Sequence, residues 1–137
     1  MSNVLLALMI AVSLLQNSGV QIIASNSMSN VDEPGTAVAF TPAEWEKLWR
    51  SHAFDKPLPK VDFTTRRVVA IFLGSRPTPG YEIEIIGVKT EGDTSTVEWT
   101  ELRPQQGLLQ AQVLTSPALI ASIPKTGSTV AFRKVTR

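Results

Sequence analysis

A continuous apolar run over Arg67–Leu73, with the sequence RVVAIFL, is the strongest structural signal in this chain. A run of this kind predicts a strand that is buried on both of its faces. Towards the C-terminus, apolar and acidic residues alternate over Tyr81–Ile85, which predicts a half-buried strand. The apolar phase slips by one residue at Ile86, so we expect a β-bulge near Gly87.

Similar strand patterns lie on both sides of this pair, and Gly, Pro and Asp residues separate them. The further strands that we expect are Gly19–Ala24, Thr36–Phe40, Thr94–Leu102, Leu108–Leu114, Ala118–Ile123 and Thr129–Val135.

One helix is expected over about residues 42–52. It begins at a capping box, Thr41–Glu44, with proline at the first helical position. Trp45, Trp49 and His52 follow at helical spacing, so one face is aromatic. The sequence therefore predicts a mainly β fold of the α+β class. We expect an antiparallel β-sandwich or open barrel of about six to eight strands, with this short amphipathic helix packed on it.

The charge and cysteine content exclude several classes of function. The 137 residues include 13 Lys+Arg, 12 Asp+Glu, one His and no Cys. A net charge of +1 gives no broad field to attract nucleic acid, so we expect no nucleic-acid partner. The lack of cysteine excludes thiol catalysis, cysteine-ligated metal, disulfides and a lipid anchor through cysteine. We expect no cofactor and no metal.

The N-terminal part of the sequence carries no charged side chain before Asp32. Val4–Leu15 is apolar except for Ser13, and it is shorter than the roughly 20 residues of a membrane span. Its length and the small residues Ala11–Ser13 are typical of a secretory signal. We expect a signal peptide over residues 1–13 and a single domain over residues 14–137, exported to the periplasm or the outside. Because Met1–Asn3 supplies no basic side chain, cytoplasmic retention is the alternative, with this segment as the first strand or helix of the domain.

The connection Gly74–Tyr81, with the sequence GSRPTPGY, joins the two strongest strands. Its prolines restrict the backbone, and Thr78–Tyr81 fits a type II turn with Pro79 and Gly80 at the central positions. A stiff exposed loop loses little entropy when it binds, so it suits protein recognition. A plain hairpin connection explains the same residues, apart from Arg76.

Other chemically suggestive residues have simpler explanations. His52 is the only imidazole, no nucleophile-elbow pattern accompanies it, and a histidine in the last turn of a helix usually meets the terminal carbonyls. We expect no catalytic residue. Glu82 and Glu84 share one face of a strand, which is typical of a solvated face rather than a metal site. The tryptophans are expected in the core rather than around a ligand, at Trp45, Trp49 and Trp99.

Five short sequence segments occur in one order along the chain: Glu44–His52, Val61–Phe63, Val68–Tyr81, Leu114–Pro117 and Ile123–Lys125. In this order and spacing they resemble the C-terminal domain of the protease-complex subunit PrcB family. The resemblance runs from about Gly19 or Phe40 to Phe132. It implies an exported, non-catalytic domain that associates with a secreted protease and supports its complex.

Two features depart from the family pattern. Where the family loop usually reads Thr-Gly-Gly-Tyr, this chain has Pro79 in place of the first glycine, which implies a stiffer turn. The family's named member is tethered to lipid through a cysteine, and this chain has no cysteine. The segment Arg76–Tyr81 is also similar to the Asn-Pro-Thr-Thr-Gly-Tyr loop of chagasin-like inhibitors of cysteine peptidases. Those inhibitors are β-sandwiches that insert this loop into a protease cleft.

The residues and the resemblance together predict an exported, non-enzymatic domain that is an accessory or stabilising partner of a secreted protease. A direct protease inhibitor that uses Gly74–Tyr81 as a wedge is one alternative, and an envelope assembly or scaffold domain is another. A small hydrolase around His52 is disfavoured. The residues expected to contact the partner are Arg76, Pro77, Thr78, Pro79, Gly80, Tyr81, Thr115, Ser116 and Pro117.

Overall fold

The computed structural model describes residues 19–105 and 112–136 of the chain. This part consists of seven strands and one helix. In chain order they are β1 (Gln21–Asn26), β2 (Gly35–Ala39), α1 (Pro42–Ala53), β3 (Arg66–Phe72), β4 (Glu82–Glu91), β5 (Thr94–Leu102), β6 (Ala118–Pro124) and β7 (Thr129–Lys134). The mainly β class with one short helix is confirmed.

The strands form two sheets that do not close into a barrel. The four-stranded sheet has the order β1-β6-β3-β2 and is antiparallel throughout, and the three-stranded sheet has the order β4-β5-β7. The expected antiparallel pairing is found in four of the five strand pairs among the described residues, and β5 and β7 are the exception because they run parallel. Between these two strands the chain crosses to the other sheet as β6, so no hairpin forces β7 to run antiparallel to β5.

Most strand predictions are confirmed in position. β5 begins and ends where the sequence indicated, and β4 has its register shift between Ile85 and Gly87. The strand expected over Leu108–Leu114 is not found in the described part, because residues 112–114 pair with no strand. The rest of that segment, residues 106–111, lies outside the described residues. So do residues 1–18, which include the predicted signal peptide.

The helix α1 covers one face of the four-stranded sheet. Its N-cap is formed: Thr41 Oγ1 accepts a hydrogen bond from the Glu44 amide at 3.2 Å, and the Glu44 carboxylate in turn accepts one from the Phe40 amide, just before the N-cap, at 3.2 Å. Trp45 and Trp49 are 2% and 6% exposed. Their indole N–H groups donate to backbone carbonyls in the segment after the helix, at 2.9 and 3.0 Å. The core placement expected for these tryptophans is confirmed.

The opposite face of the same sheet packs against the three-stranded sheet. Apolar side chains from both sheets meet there, including Trp99 of the smaller sheet: Val69, Ile71, Leu119, Ala121, Ile123, Ile83, Val97 and Trp99. β3 therefore lies in the middle of three layers, and it is buried from Arg67 to Phe72 as its sequence predicted. Each fully buried Val or Ile side chain in this layer contributes about 1.5–3 kcal/mol relative to an exposed one.

Candidate functional site

Backbone geometry fixes the loop after β3 at both ends. Gly74 has φ of 77°, and a Cβ there would lie 2.9 Å from Pro34 Cδ and 3.1 Å from the Asp32 carbonyl oxygen. Gly80 has φ of 100°, as the third position of a type II turn requires, and a Cβ there would lie 3.0 Å from Pro104 Cβ. Both glycines combine a left-handed conformation with close packing, so the loop has little freedom at these points.

Backbone hydrogen bonds join this loop to the segment before β6. The amides of Arg76 and Thr115 each donate to the other's carbonyl at 2.8 Å. The Thr115 hydroxyl donates to the Thr78 carbonyl at 3.1 Å. The structure thus brings together the two groups of residues that the sequence proposed as one surface.

The charged group of Arg76 is turned inward. Its Nε and Nη2 atoms donate to the two carboxylate oxygens of Glu101 at 3.0 and 3.1 Å, and Nη1 donates to the Leu73 carbonyl at 2.9 Å. The guanidinium also lies over the Tyr81 ring, 5.7 Å from its centroid. Arg76 was expected to contact a partner. The structure instead makes it a brace between the loop and β5.

Glu101 is the acceptor on which this brace depends. Its side chain is 4% exposed and also accepts a hydrogen bond from Lys134 Nζ at 3.2 Å. The hydrogen bonds from Arg76 hold the pKa of Glu101 below its usual range, and they outweigh the opposing effect of burial. The same contact raises the pKa of Arg76. Sequence reasoning missed Glu101 because no local pattern connects it with a residue 25 positions earlier.

The residues expected to complete the surface, Thr115–Pro117, are mostly internal. Thr115 and Ser116 are 4% and 7% exposed, and Pro117 is buried. The Ser116 amide donates to the Ser27 carbonyl at 2.8 Å, and the Ser116 hydroxyl donates to Asp32 Oδ1 at 2.7 Å. Their side chains therefore hold neighbouring segments together, and they offer little area to a partner.

Apolar side chains on the same bonded segments are exposed instead. Met28, Val113 and Leu114 are 64%, 50% and 69% exposed, and Pro77 in the loop is also exposed. Met28 bridges to Ser116, and Leu114 directly precedes Thr115. We call these four residues, Met28, Pro77, Val113 and Leu114, the loop-end surface. Sequence reasoning missed three of them, and assigned two to a strand, because only the tertiary structure exposes them.

A small cavity lies beside the loop-end surface. It has a volume of about 260 Å³ and lies between the end of β1 and the start of β4. Ser25–Ser27, Gly80–Ile83, Pro117 and Ala118 line it. This volume is below the roughly 300–1,000 Å³ of small-molecule pockets, so it suits a side chain of a partner better than a cofactor.

Residues 67–124 match the family model described as PrcB C-terminal. The resemblance stated from the sequence is confirmed over these residues. Comparison with curated proteins gives no match, and comparison with solved structures gives none either. The similarity of the loop to chagasin-like inhibitors stays a prediction.

The PrcB-like segment includes the loop after β3, Glu101 and residues 112–117, but not Met28 or α1. The brace between Arg76 and Glu101 and the bridge from Arg76 to Thr115 therefore both lie within the matched range. Three of the four residues of the loop-end surface, Pro77, Val113 and Leu114, lie within the matched range.

His52, which lies before the PrcB-like segment, is buried and links three parts of the chain. It is 3% exposed, and its Nδ1 and Nε2 atoms lie 2.8 Å from Ser29 Oγ and 3.0 Å from Asn26 Oδ1. Because the amide oxygen of Asn26 only accepts, we assign the proton to Nε2 and a hydrogen bond from the Ser29 hydroxyl to Nδ1. Burial lowers the pKa of His52, and the nearby Lys56 charge lowers it further.

The expectation that His52 meets the terminal carbonyls of the helix is wrong. The aromatic rings of α1 and Phe72 bury it, and its ring nitrogens meet side chains of β1 and of the segment after β1, in place of terminal carbonyls. Ser29 is itself 6% exposed, so the serine–histidine pair is closed to a reactant from solvent. Within residues 19–105 and 112–136 we find no cluster of His, Asp or Glu that could hold a metal ion. In that same part no helix has the length and apolar character needed to cross a membrane.

Proposed function

We propose that this chain is an exported, non-catalytic domain that binds another protein, as an accessory or stabilising partner of a secreted protease. The observation that carries the proposal is the PrcB C-terminal match, because it covers both the loop after β3 and residues 112–117. These two segments provide three of the four residues of the loop-end surface.

The physical character of the loop-end surface supports protein binding. Met28, Val113 and Leu114 are half exposed or more, and Pro77 is exposed. Hydrogen bonds to buried groups hold the segments that carry these side chains. Exposed apolar groups on a rigid backbone lose little entropy when they are buried against a partner. The neighbouring cavity of about 260 Å³ offers room for one side chain of that partner.

Affinity capture from the native host tests this proposal. The wild type carries an affinity tag, and the captured proteins are identified by mass spectrometry. Leu114→Asp and Met28→Asp place a charge in the loop-end surface, and we expect each to lose the partner. Ile22→Asp is the matched control, because Ile22 is 56% exposed near the opposite end of β1 and should leave capture unchanged. Circular dichroism checks that each variant is folded.

A protease that is captured by the wild type and by Ile22→Asp, but not by the loop-end variants, supports the proposal. Equal capture by all four proteins would remove the loop-end surface from the proposal. Capture of an envelope protein that is not a protease would instead favour the scaffold alternative.

The activity of the captured protease distinguishes an inhibitor from an accessory subunit. An accessory subunit leaves the activity of the captured protease unchanged or prolongs it, whereas an inhibitor abolishes it at a one-to-one ratio. The structure gives an inhibitory wedge less support, because Thr78 and Tyr81 are half-buried and the charge of Arg76 is engaged by Glu101. A titration of the purified protease with this chain decides between the two.

A further inference from the structure

Arg67, at the start of β3, is a buried cation with two guanidinium nitrogens that have no hydrogen-bond partner. It is 7% exposed, and its Nε and Nη1 atoms are buried without a hydrogen-bond partner. None of the ion pairs among the described residues involves it. The neighbouring Arg66, in contrast, donates to Ser122 and to the Gly19 carbonyl. Burying guanidinium N–H groups without acceptors is costly, and a carboxylate is the acceptor that would offset this cost best.

Arg67 lies beside an open sheet edge. Its Cζ atom is 4.9 Å from the centroid of the Phe40 ring, and Phe40 is 39% exposed directly after β2. β2 is the outer strand of the four-stranded sheet. Among the described residues, none pairs with its other edge.

The β2 edge lacks the usual features that prevent edge-to-edge pairing. Charged side chains or bulges normally serve this purpose. β4 has several charged residues and a register shift, β7 ends in Arg133 and Lys134, and β1 has a register shift. β2 has the sequence GTAVA, with no charge, and pairs with β3 over five residues without a shift. Only Pro34, just before it, interrupts this edge.

We propose that the free edge of β2 pairs with β2 of a second copy of this chain, in antiparallel orientation about a twofold axis. Antiparallel pairing brings the residues before β2 in one copy next to the residue after β2 in the other. Asp32 and Glu33 precede β2, and Phe40 follows it, so acidic residues of each copy arrive beside Arg67 of the other.

Glu33 is the acid that is available for this contact. It is exposed and takes part in no ion pair among the described residues, whereas Asp32 already accepts a hydrogen bond from Ser116. The dimer therefore supplies the carboxylate that Arg67 lacks, and it joins two four-stranded sheets into one of eight strands. The loop-end surface is not part of this contact, so the inference stands apart from the proposed function.

Sedimentation of the purified chain over a concentration series, at low salt, tests the dimer. We expect the wild type to convert reversibly from monomer to dimer. Thr36→Lys places a charge on the exposed part of β2, so this variant should stay a monomer. A twofold dimer contains the contact between Glu33 and Arg67 twice, so Glu33→Lys should raise the dissociation constant at least about a hundredfold. Glu91→Lys, an exposed acid at the end of β4, should change nothing.

A crosslink supplies an independent measurement. The chain has no cysteine, so Ala37→Cys near the middle of β2 introduces a unique thiol, and mild oxidation should yield a disulfide-linked dimer. Ile86→Cys, on an exposed position of β4, is the control and should remain a monomer. A wild type that stays monomeric at every concentration overturns the proposal, as does a dimer that Thr36→Lys leaves intact. Equal effects of Glu33→Lys and Glu91→Lys would overturn the contact with Arg67.

Discussion

At the scale of single residues, Glu101 attaches the loop after β3 to β5 through its contact with Arg76. Its carboxylate, on a side chain that is 4% exposed, receives two hydrogen bonds from Arg76 and one from Lys134. Arg76 is 26% exposed, so part of its charge stays hydrated if the acid is removed. The carboxylate has no comparable access to water and depends on its partners.

We expect Glu101→Gln to lower the free energy of unfolding at neutral pH by about 2 kcal/mol, because charge-assisted hydrogen bonds are lost. The pKa of Glu101 is lower in the folded than in the unfolded state, so its stabilisation is present above about pH 4.3 and is lost as the pH falls through the folded-state pKa. The difference between wild type and variant should therefore shrink in acid. Urea unfolding at several pH values measures it.

Glu91→Gln is the control for this substitution, since Glu91 is an exposed acid at the end of β4. Its effect should stay within about 0.5 kcal/mol at any pH. A Glu101 variant with an equally small, pH-independent effect would show that Arg76 does not brace the loop.

His52 gives the opposite pH dependence to that of a surface histidine paired with an acid. Burial lowers its pKa in the folded state, so the unfolded chain binds a proton more readily below about pH 6.5. Stability is therefore fully present above that pH and decreases as the pH falls towards the folded-state pKa. We expect the free energy of unfolding to fall between about pH 7.5 and pH 5.5, and this dependence to disappear in His52→Gln.

The His52→Gln variant should also be less stable than the wild type at about pH 7.5, because its ring contacts with Trp49 and Phe72 are lost. The test rests on how the free energy of unfolding changes with pH, because the loss of ring contacts alone lowers stability equally at every pH. If the free energy of unfolding of His52→Gln depended on pH as in the wild type, other titratable groups would be responsible for that dependence.

At the scale of elements, the loop after β3 depends on a glycine that has both an unusual φ and no free space. Gly74 has φ of 77°, and the Pro34 side chain and the Asp32 backbone lie about where its Cβ would point. Gly92, in the turn between β4 and β5, has φ of 58° with nothing within 4 Å of such a Cβ. Alanine substitutions at Gly92 and Gly74 therefore separate the cost of backbone strain from the cost of steric contact.

We expect Gly92→Ala to cost about 1 kcal/mol, from the left-handed conformation alone. Gly74→Ala should cost about 3 kcal/mol, because the loop and the segment before β2 must also move apart. Thermal and urea unfolding of the two variants give the comparison. Equal costs would show that the contact of Gly74 with Pro34 and Asp32 relaxes freely.

The elements also show what could be predicted from the sequence. Local signals located α1, the buried strand β3 and the bulge in β4, because caps, apolar runs and phase slips depend on neighbouring residues. The parallel pairing of β5 with β7 and the contact of Glu101 with Arg76 depend on how distant segments meet. The same holds for His52, whose partners Asn26 and Ser29 lie more than 20 positions away. No local pattern encodes these contacts.

At the scale of the whole molecule, β3 and β6 form a central layer between α1 and the three-stranded sheet. Val69, Ile71, Ile120 and Ala121 are 0% exposed there, and both faces of their sheet are covered. β7, in contrast, is an outer strand whose residues are half-buried or exposed. This arrangement predicts a gradient of local stability across the layers.

Native-state hydrogen exchange measures that gradient, and we expect the slowest amides in β3 and β6 and faster ones in β7. Ile120→Ala should lower the free energy of unfolding by about 2–5 kcal/mol, because it leaves a cavity in the middle layer. In this variant the amides of β3 and β6 should exchange faster, by the factor that corresponds to the lost free energy of unfolding, because they open only on global unfolding. The β7 amides should change little, because they open locally. Ile86→Ala, at a position that is 42% exposed, is the control and should leave both groups unchanged. Exchange in β3 and β6 as fast as in β7 would contradict a stable middle layer.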